Sequence, residues 1–526
     1  MNAQDTLRQE IDRQQDRLCA GIPVDSSTAI FALLRRRERL PNGPQVVSQP
    51  DLVTGHRLPD LGGNKALQLC FQSDSRRETT SSLSNMALES WAERFLRACE
   101  DLAAAELILV HAETGFMRLG VEPEGQLAAW IATRRMPTSW RERADIDWWA
   151  QSIAREYEPQ LRDLRSGRRD VPYPELANMY LKMMAHQPEY PPGTEIDGCS
   201  IQTCREVLGG LIARALQARD CGELAVVERQ ALVSTLASDL DTDPGTIDAV
   251  LSAFTLDREN AGYHAAVPGV APAPIVRLSS DRVVLSAYGL TSEPLFFLTR
   301  ELRRRDATAY HNAAFLREDI FRQDLYRLFD DKRFVTSVGR INLRRTNGGV
   351  RTDIDAAVFD RKTGTLGLFE LKSQDPYARS TAALERQRDN VLYANRQLSG
   401  VLDWINRHGA DEILNRIDTR TARTFHVQKV FPFVLGRYLA TFSDGAAPDS
   451  RAAWGTWPQL LRLIEDQPAR KIGANPIATL FTRLANDASS SVRSTDPPSR
   501  EIILGGTRLV VHPSYDAFKA NSGVKR

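Results

Sequence analysis

The segment Thr352–Ser373, TDIDAAVFDRKTGTLGLFELKS, constrains this chain more than any other. It reads as two short apolar strands with a turn at Lys362–Gly364, interrupted by Asp355, Glu370 and Lys372. Side chains two apart in a strand share a face. Asp353, Asp355, Ala357 and Phe359 therefore fall on one side of the first strand, and Leu368, Glu370 and Lys372 on one side of the second. Symmetrical closure between Asp360 and Thr365 sets Asp355 opposite Glu370, and Asp353 opposite Lys372. Two facing carboxylates repel unless a proton or a metal ion lies between them.

An acid two places before a lysine is a weak signal by itself. The chain has nine lysines among its 68 basic residues, and three such pairs: Asp330/Lys332, Asp360/Lys362 and Glu370/Lys372. The first two fall at a helix end and in a turn, where solvated charge is ordinary. Only Glu370/Lys372 lies inside an apolar strand, LGLFELK, where charge is costly unless compensated. A solvated edge strand is the plainer alternative.

Asp355, a turn and then Glu370-Leu371-Lys372 resemble the PD-(D/E)XK nuclease superfamily, with Ile354 where many members have proline. The resemblance covers about residues 306–437. It implies a restriction-endonuclease-like α/β domain and Mg²⁺ or Mn²⁺ held by Asp355 and Glu370, with the Leu371 carbonyl as a further oxygen ligand. Lys372 would orient or activate the attacking water. Glu318 falls on the apolar stripe Phe321, Leu325, Leu328 of the preceding helix. In the family such a Glu completes the metal site; a helix-dipole role is the alternative. The family also places a polar residue on the helix after the motif, which points to Gln387 in the long helix at 380–407. Arg340, Arg344, Arg345 and Arg351 flank an Asn347-Gly348 turn and are candidates for holding nucleic-acid phosphates. Solvated strand ends are the competing reading for them.

Around this region the chain of 526 residues has room for two to four domains. Residues 1–265 read as a mostly α-helical region, including Asn85–Arg165, for target choice, assembly or control. Residues 266–305 read as a linker with a hairpin and a helix, 306–440 as the nuclease-like domain with an αβββαβ core and mixed sheet, and 441–526 as helical pieces, a mobile loop and a last hairpin. Net charge is only +1. Residues 306–440 carry 22 Lys and Arg against 17 Asp and Glu, an excess of five that suits phosphate binding.

Several chemistries lose their usual support. No phosphate-binding glycine loop ending in Gly-Lys, no Gly-x-Ser-x-Gly and no His-Glu-x-x-His occurs. DLDTDPG misses the calcium-loop register, and Asp243 reads instead as a helix cap before Pro244. Six cysteines without framework spacing, a polar N-terminus and short apolar runs imply a reduced cytoplasmic protein without a membrane partner. The expectation is a metal-dependent DNA endonuclease, in a layout that suits bacterial defence or restriction, with room for self-association or a regulatory protein. The alternative is a catalytically silent nuclease-fold scaffold whose helical half makes the contacts.

Overall fold

Asp360 and Gly364 set the central hairpin. Gly364 takes a positive φ of 62° and donates its N–H to the Asp360 carbonyl at 2.9 Å. The Asp360 carboxylate is buried, accepts from Lys362 N–H and Thr363 Oγ1, and is clasped by both arms of Arg333. Register follows from the turn: Asp360 pairs with Thr365, and Ala356 with Phe369.

The computed structural model describes residues 2–38, 58–73, 84–113, 115, 117–122, 125–131, 148–157, 159–160, 171–187, 190–191, 193–266, 271–344, 350–373, 381–440, 449–465, 467–489 and 500–512. The chain divides into two compact units, Met1–Arg134 with Ala150–Ala313 and Thr495–Arg526, and Arg135–Trp149 with Ala314–Ser494. Both mix helix and sheet, so the protein is a multidomain α/β chain.

The second unit holds the hairpin. In chain order its elements are α1 (Ala307–Leu328, which begins in the first unit), β1 (Phe334–Thr336), β2 (Ile341–Arg344), β3 (Val350–Ile354), β4 (Ala356–Asp360), β5 (Thr365–Lys372), α2 (Thr381–His408), α3 (Ala410–Ile417), β6 (Lys429–Gly436), β7 (Ala453–Thr456), α4 (Trp457–Leu463) and α5 (Pro476–Ser489). Five strands form one sheet in the order β7-β6-β5-β4-β1. β5, β6 and β7 run parallel, whereas β4 is antiparallel to both neighbours. β2 and β3 make a separate ladder. On one face Ala357, Phe359, Leu366 and Leu368 form a core with Val401 and Trp404 of α2 and Ile413 and Leu414 of α3. On the other, Phe369 stacks on Phe433 at 4.6 Å, and Phe481 of α5 packs edge-on to Phe433.

The sheet is larger than the 306–440 boundary allows, because β7 lies within the segment read as a helical piece and α4 begins only at Trp457. β6 has neighbours on both sides. The β7 ladder begins at Phe433, so Pro432, which lacks an N–H, faces a neighbour only on the β5 side.

The first unit is richer in helix, including Ala3–Ala20, Asn85–Glu113 and Ile201–Asp220. Asp243 caps Pro244–Phe254 by accepting from Thr246 N–H at 2.9 Å, as its sequence predicts. The helical reading of 85–165 fails at Met117–Val121 and Leu127–Ile131, which are paired strands. Their short apolar runs satisfy either period, and the pairing decides. The hairpin at Arg500–Leu504 and Thr507–His512 extends that sheet, parallel to Leu127–Ile131. The expected linker hairpin, Ile275–Arg277 and Arg282–Leu285, is built into a second four-stranded sheet with Ala225–Glu228 and Thr255–Leu256, and Ala271 and Ala273 before it are buried. Among the described residues no helix is long and apolar enough to cross a membrane.

Candidate functional site

Asp355 sits at a bend, not inside a strand. The β2/β3 ladder ends at Ile354, paired with Ile341, and the β4/β5 ladder begins at Ala356. The chain changes partners across this one residue, so its carbonyl leaves both ladders and needs another donor. Arg322 of α1 supplies it, with Nε 2.6 Å from the Asp355 oxygen. The same change corrects the expected pairing of Asp353 with Lys372: Asp353 faces Asn342 in the other ladder.

The bend turns the Asp355 carboxylate toward the end of β5. Oδ2 accepts the Leu371 N–H at 2.9 Å, and Oδ1 lies 3.1 Å from Nε of Arg340. Asp355 is 2% exposed and Glu370 7%. Glu370 follows Leu368 on one face of β5, and Lys372 follows Glu370. Lys372 Nζ lies 2.5 Å from Glu370 Oε1 and donates to Gln397 Oε1 of α2 at 3.0 Å. Tyr393, half exposed one turn earlier on α2, places its ring 5.8 Å from Lys372 Nζ.

Glu318 stands on the α1 stripe one turn before the buried Phe321 and Leu325. Its Oε2 accepts from Arg340 Nη2 at 2.8 Å. Arg340 also lies 3.2 Å from Asp353 Oδ2, so a single guanidinium, 40% exposed, bridges acids from α1, from β3 and from the bend.

Electrostatics record the crowding. Burial, then the neighbouring Asp355 charge, push Glu318 to about 7 and Glu370 to about 8. Burial also raises Asp355, against the pull of Lys372, the Leu371 N–H and Arg340. Burial alone would lower Lys372, but Glu370 and Asp355 outweigh it and the pKa rises. With Glu370 and Asp355 ionised, Lys372 is a protonated donor.

Glu318, Asp355, Glu370 and Lys372 thus share one cluster, and the Leu371 N–H belongs to it. The Gln387 side chain lies outside the described residues, as do Arg345 and the side chain of Arg351. Arg344 is exposed at the end of β2, where its carbonyl accepts from Trp404 Nε1. Arg340 meets carboxylates instead of standing free for phosphate. Sequence reasoning missed Gln397. The signal was faint: Gln397 is a polar residue immediately beside the buried row Ala394, Leu398, Val401, Trp404.

Among the described residues no group of three or more His, Cys, Asp and Glu is arranged to hold a metal ion. The donor chemistry nevertheless suits a hard divalent cation. Glu318, Asp353, Asp355 and Glu370 are oxygen donors. Four carboxylates against Arg340 and Lys372 leave two negative charges when all are ionised. The Arg340 guanidinium stands among three of these acids as a resident cation.

Comparison with protein-family models, with curated proteins and with solved structures finds no match for this chain.

Proposed function

We propose that the second unit is a metal-dependent nuclease of the PD-(D/E)XK type, hydrolysing phosphodiester bonds, with DNA as the favoured substrate. The observation that carries this reading is the clustering of Asp355, Glu370, Glu318 and Lys372 at one sheet end, with two carboxyl pKa values raised into the neutral range. Strongly perturbed acids beside a partly exposed cation are the pattern of a candidate functional site. Restriction-endonuclease-like topology belongs to this proposal, supported by the helix, the strands around the bend and the helix that follows.

Asp355, Glu370 and Glu318 would hold Mg²⁺ or Mn²⁺, with the Leu371 carbonyl as a further donor. The ion would supply charge stabilisation at the phosphate oxygens. Lys372, protonated and held between Glu370 and Gln397, is placed to orient a water by hydrogen bonding. Gln397, whose Oε1 accepts from Lys372 Nζ, would steady that lysine. The six cysteines are all free, in keeping with a reduced, cytoplasmic protein. A role in bacterial defence or restriction rests on fold-level analogy.

One observation favours a second reading, a silent scaffold: Arg340 already neutralises acids that the nuclease needs. One incubation series separates the two. Purified protein with Mg²⁺ or Mn²⁺ is offered duplex DNA, single-stranded DNA and RNA, alongside Asp355→Ala and Glu370→Ala. Metal-dependent cleavage that both substitutions abolish supports the nuclease. No cleavage, with metal binding indifferent to both substitutions, supports the scaffold.

A further inference from the structure

Arg340 is the least expected member of the cluster. It ends the connection between β1 and β2, after Val338, which is fully exposed, and Gly339, where an added Cβ would meet nothing within 4 Å. Its guanidinium nonetheless reaches back to Glu318, Asp353 and Asp355 at 2.8, 3.2 and 3.1 Å. Asp355 has two oxygens, and Leu371 N–H already holds Oδ2. The oxygen without that amide donor is Oδ1, which faces Arg340 Nε. A divalent ion there would stand within a few ångströms of a fixed positive charge, with too little solvent between them to screen the repulsion.

The guanidinium has somewhere to go. It is 40% exposed, on a long side chain that follows Gly339, where open space stands beside the backbone. Once a metal ion takes the carboxylates, the group that best matches a planar fork of donors is a phosphate. On the nuclease reading that phosphate belongs to the nucleic acid entering the same cleft.

We infer that Arg340 is an exchangeable counter-ion: it neutralises Glu318, Asp353 and Asp355 while the site lacks metal, and transfers to a substrate phosphate when the metal binds. This rests on the proposed metal site. It gives one residue two opposite effects, opposing the metal and favouring the nucleic acid. A purely structural arginine would give neither in that combination. Metal and substrate then assist one another, since each removes an obstacle to the other.

The test measures two affinities in the full-length chain, for wild type, Arg340→Ala and Arg340→Gln. Gln retains hydrogen bonding without charge and guards against misfolding, which a far-ultraviolet circular dichroism melt checks. Mn²⁺ affinity without nucleic acid is read by calorimetry. Affinity for fluorescein-labelled duplex DNA, single-stranded DNA and RNA is read by anisotropy in saturating Ca²⁺. Both variants should bind Mn²⁺ tenfold or more tightly and the preferred nucleic acid at least fivefold more weakly. Equal or weaker Mn²⁺ binding by the variants overturns the exchange while leaving the metal site standing. Unchanged nucleic-acid affinity overturns the transfer to phosphate. If neither wild type nor variants bind Mn²⁺, the metal-site reading falls and takes the exchange with it.

Discussion

Each unit buries a cluster of charge, and the two clusters are settled in opposite ways. In the first unit Glu301 is wholly buried on Pro294–Arg305, yet three side chains supply donors to it. His264 Nε2 lies 3.0 Å away, and Arg304 and Arg305 reach it at 2.8 and 3.0 Å. Burial pushes its pKa up, but these hydrogen bonds dominate and hold it at about 2. His264, stacked on Phe297 at 4.1 Å, is driven by burial down to about 4. In the second unit four acids share two cations, and Glu318 and Glu370 titrate near 7 and 8. Buried charge by itself therefore does not mark a site. Satisfied charge is architecture; charge left short of compensation is a place for a ligand.

Breaking the satisfied cluster should cost most. Glu301→Ala leaves two arginines and a buried imidazole without their acceptor, and about 3–5 kcal/mol of stability should be lost. Urea denaturation of the purified variant measures it. Glu370→Gln, by contrast, should leave stability at pH 7 unchanged or raised, because the native acid already favours its proton there. Equal destabilisation by the two substitutions would erase the distinction. In activity the order reverses. Lys372→Arg and Lys372→Ala should each lower cleavage ~100-fold or more, while Glu301→Gln leaves cleavage per folded molecule intact. Near-normal cutting by Lys372→Arg would make the lysine structural.

The clusters also predict opposite pH dependences. Glu318 and Glu370 keep protons in the fold up to about 7 and 8, whereas unfolded they release them near 4.5. The folded chain binds more protons in that window, so their contribution falls as pH rises from about 4.5 to 8. Glu301 and His264 act at the acid side. The unfolded histidine protonates below 6.5 while the folded one resists to about 4, and Glu301 stays ionised to about 2. Their contribution is therefore lost as pH falls from about 6.5 toward 2. Denaturation followed from pH 2 to 9 should show Glu370→Gln flattening the decline toward pH 8, and Glu301→Gln reducing the loss below about pH 4.5. An alkaline decline unaltered by Glu370→Gln would mean that Glu370 titrates normally.

What the sequence revealed depended on how local the cause was. The hairpin register was legible because Asp360 through Thr365 carry their own turn chemistry. The bend at Asp355 was not, since it depends on β3 choosing β2 and β4 choosing β5, and on Arg322 reaching the freed carbonyl. The pairing of Asp353 with Asn342 was hidden for that reason, and so were the three acids around Arg340, since nothing local shows them meeting it. Glu318 was legible as an acid on an apolar stripe. Gln397 was not legible, because only the packing of α2 on the sheet, with Ala394, Leu398, Val401 and Trp404 buried, brings it to Lys372.

Gln397 yields the smallest and sharpest test of the cluster. Gln397 accepts a single hydrogen bond from Lys372, at 3.0 Å, and Lys372 retains Glu370 without it. Gln397→Ala should therefore cost about 1 kcal/mol, the scale of one hydrogen bond, or roughly fivefold in cleavage. The loss should fall on kcat, with KM unchanged, because the amide steadies the lysine and holds no substrate. A double-mutant cycle decides whether it acts through that lysine. In a Lys372→Ala background Gln397→Ala should cost nothing further. A full second loss there would mean that Gln397 acts on water or substrate directly. In that case the lysine is held by Glu370 alone, and α2 contributes a catalytic group in place of a support.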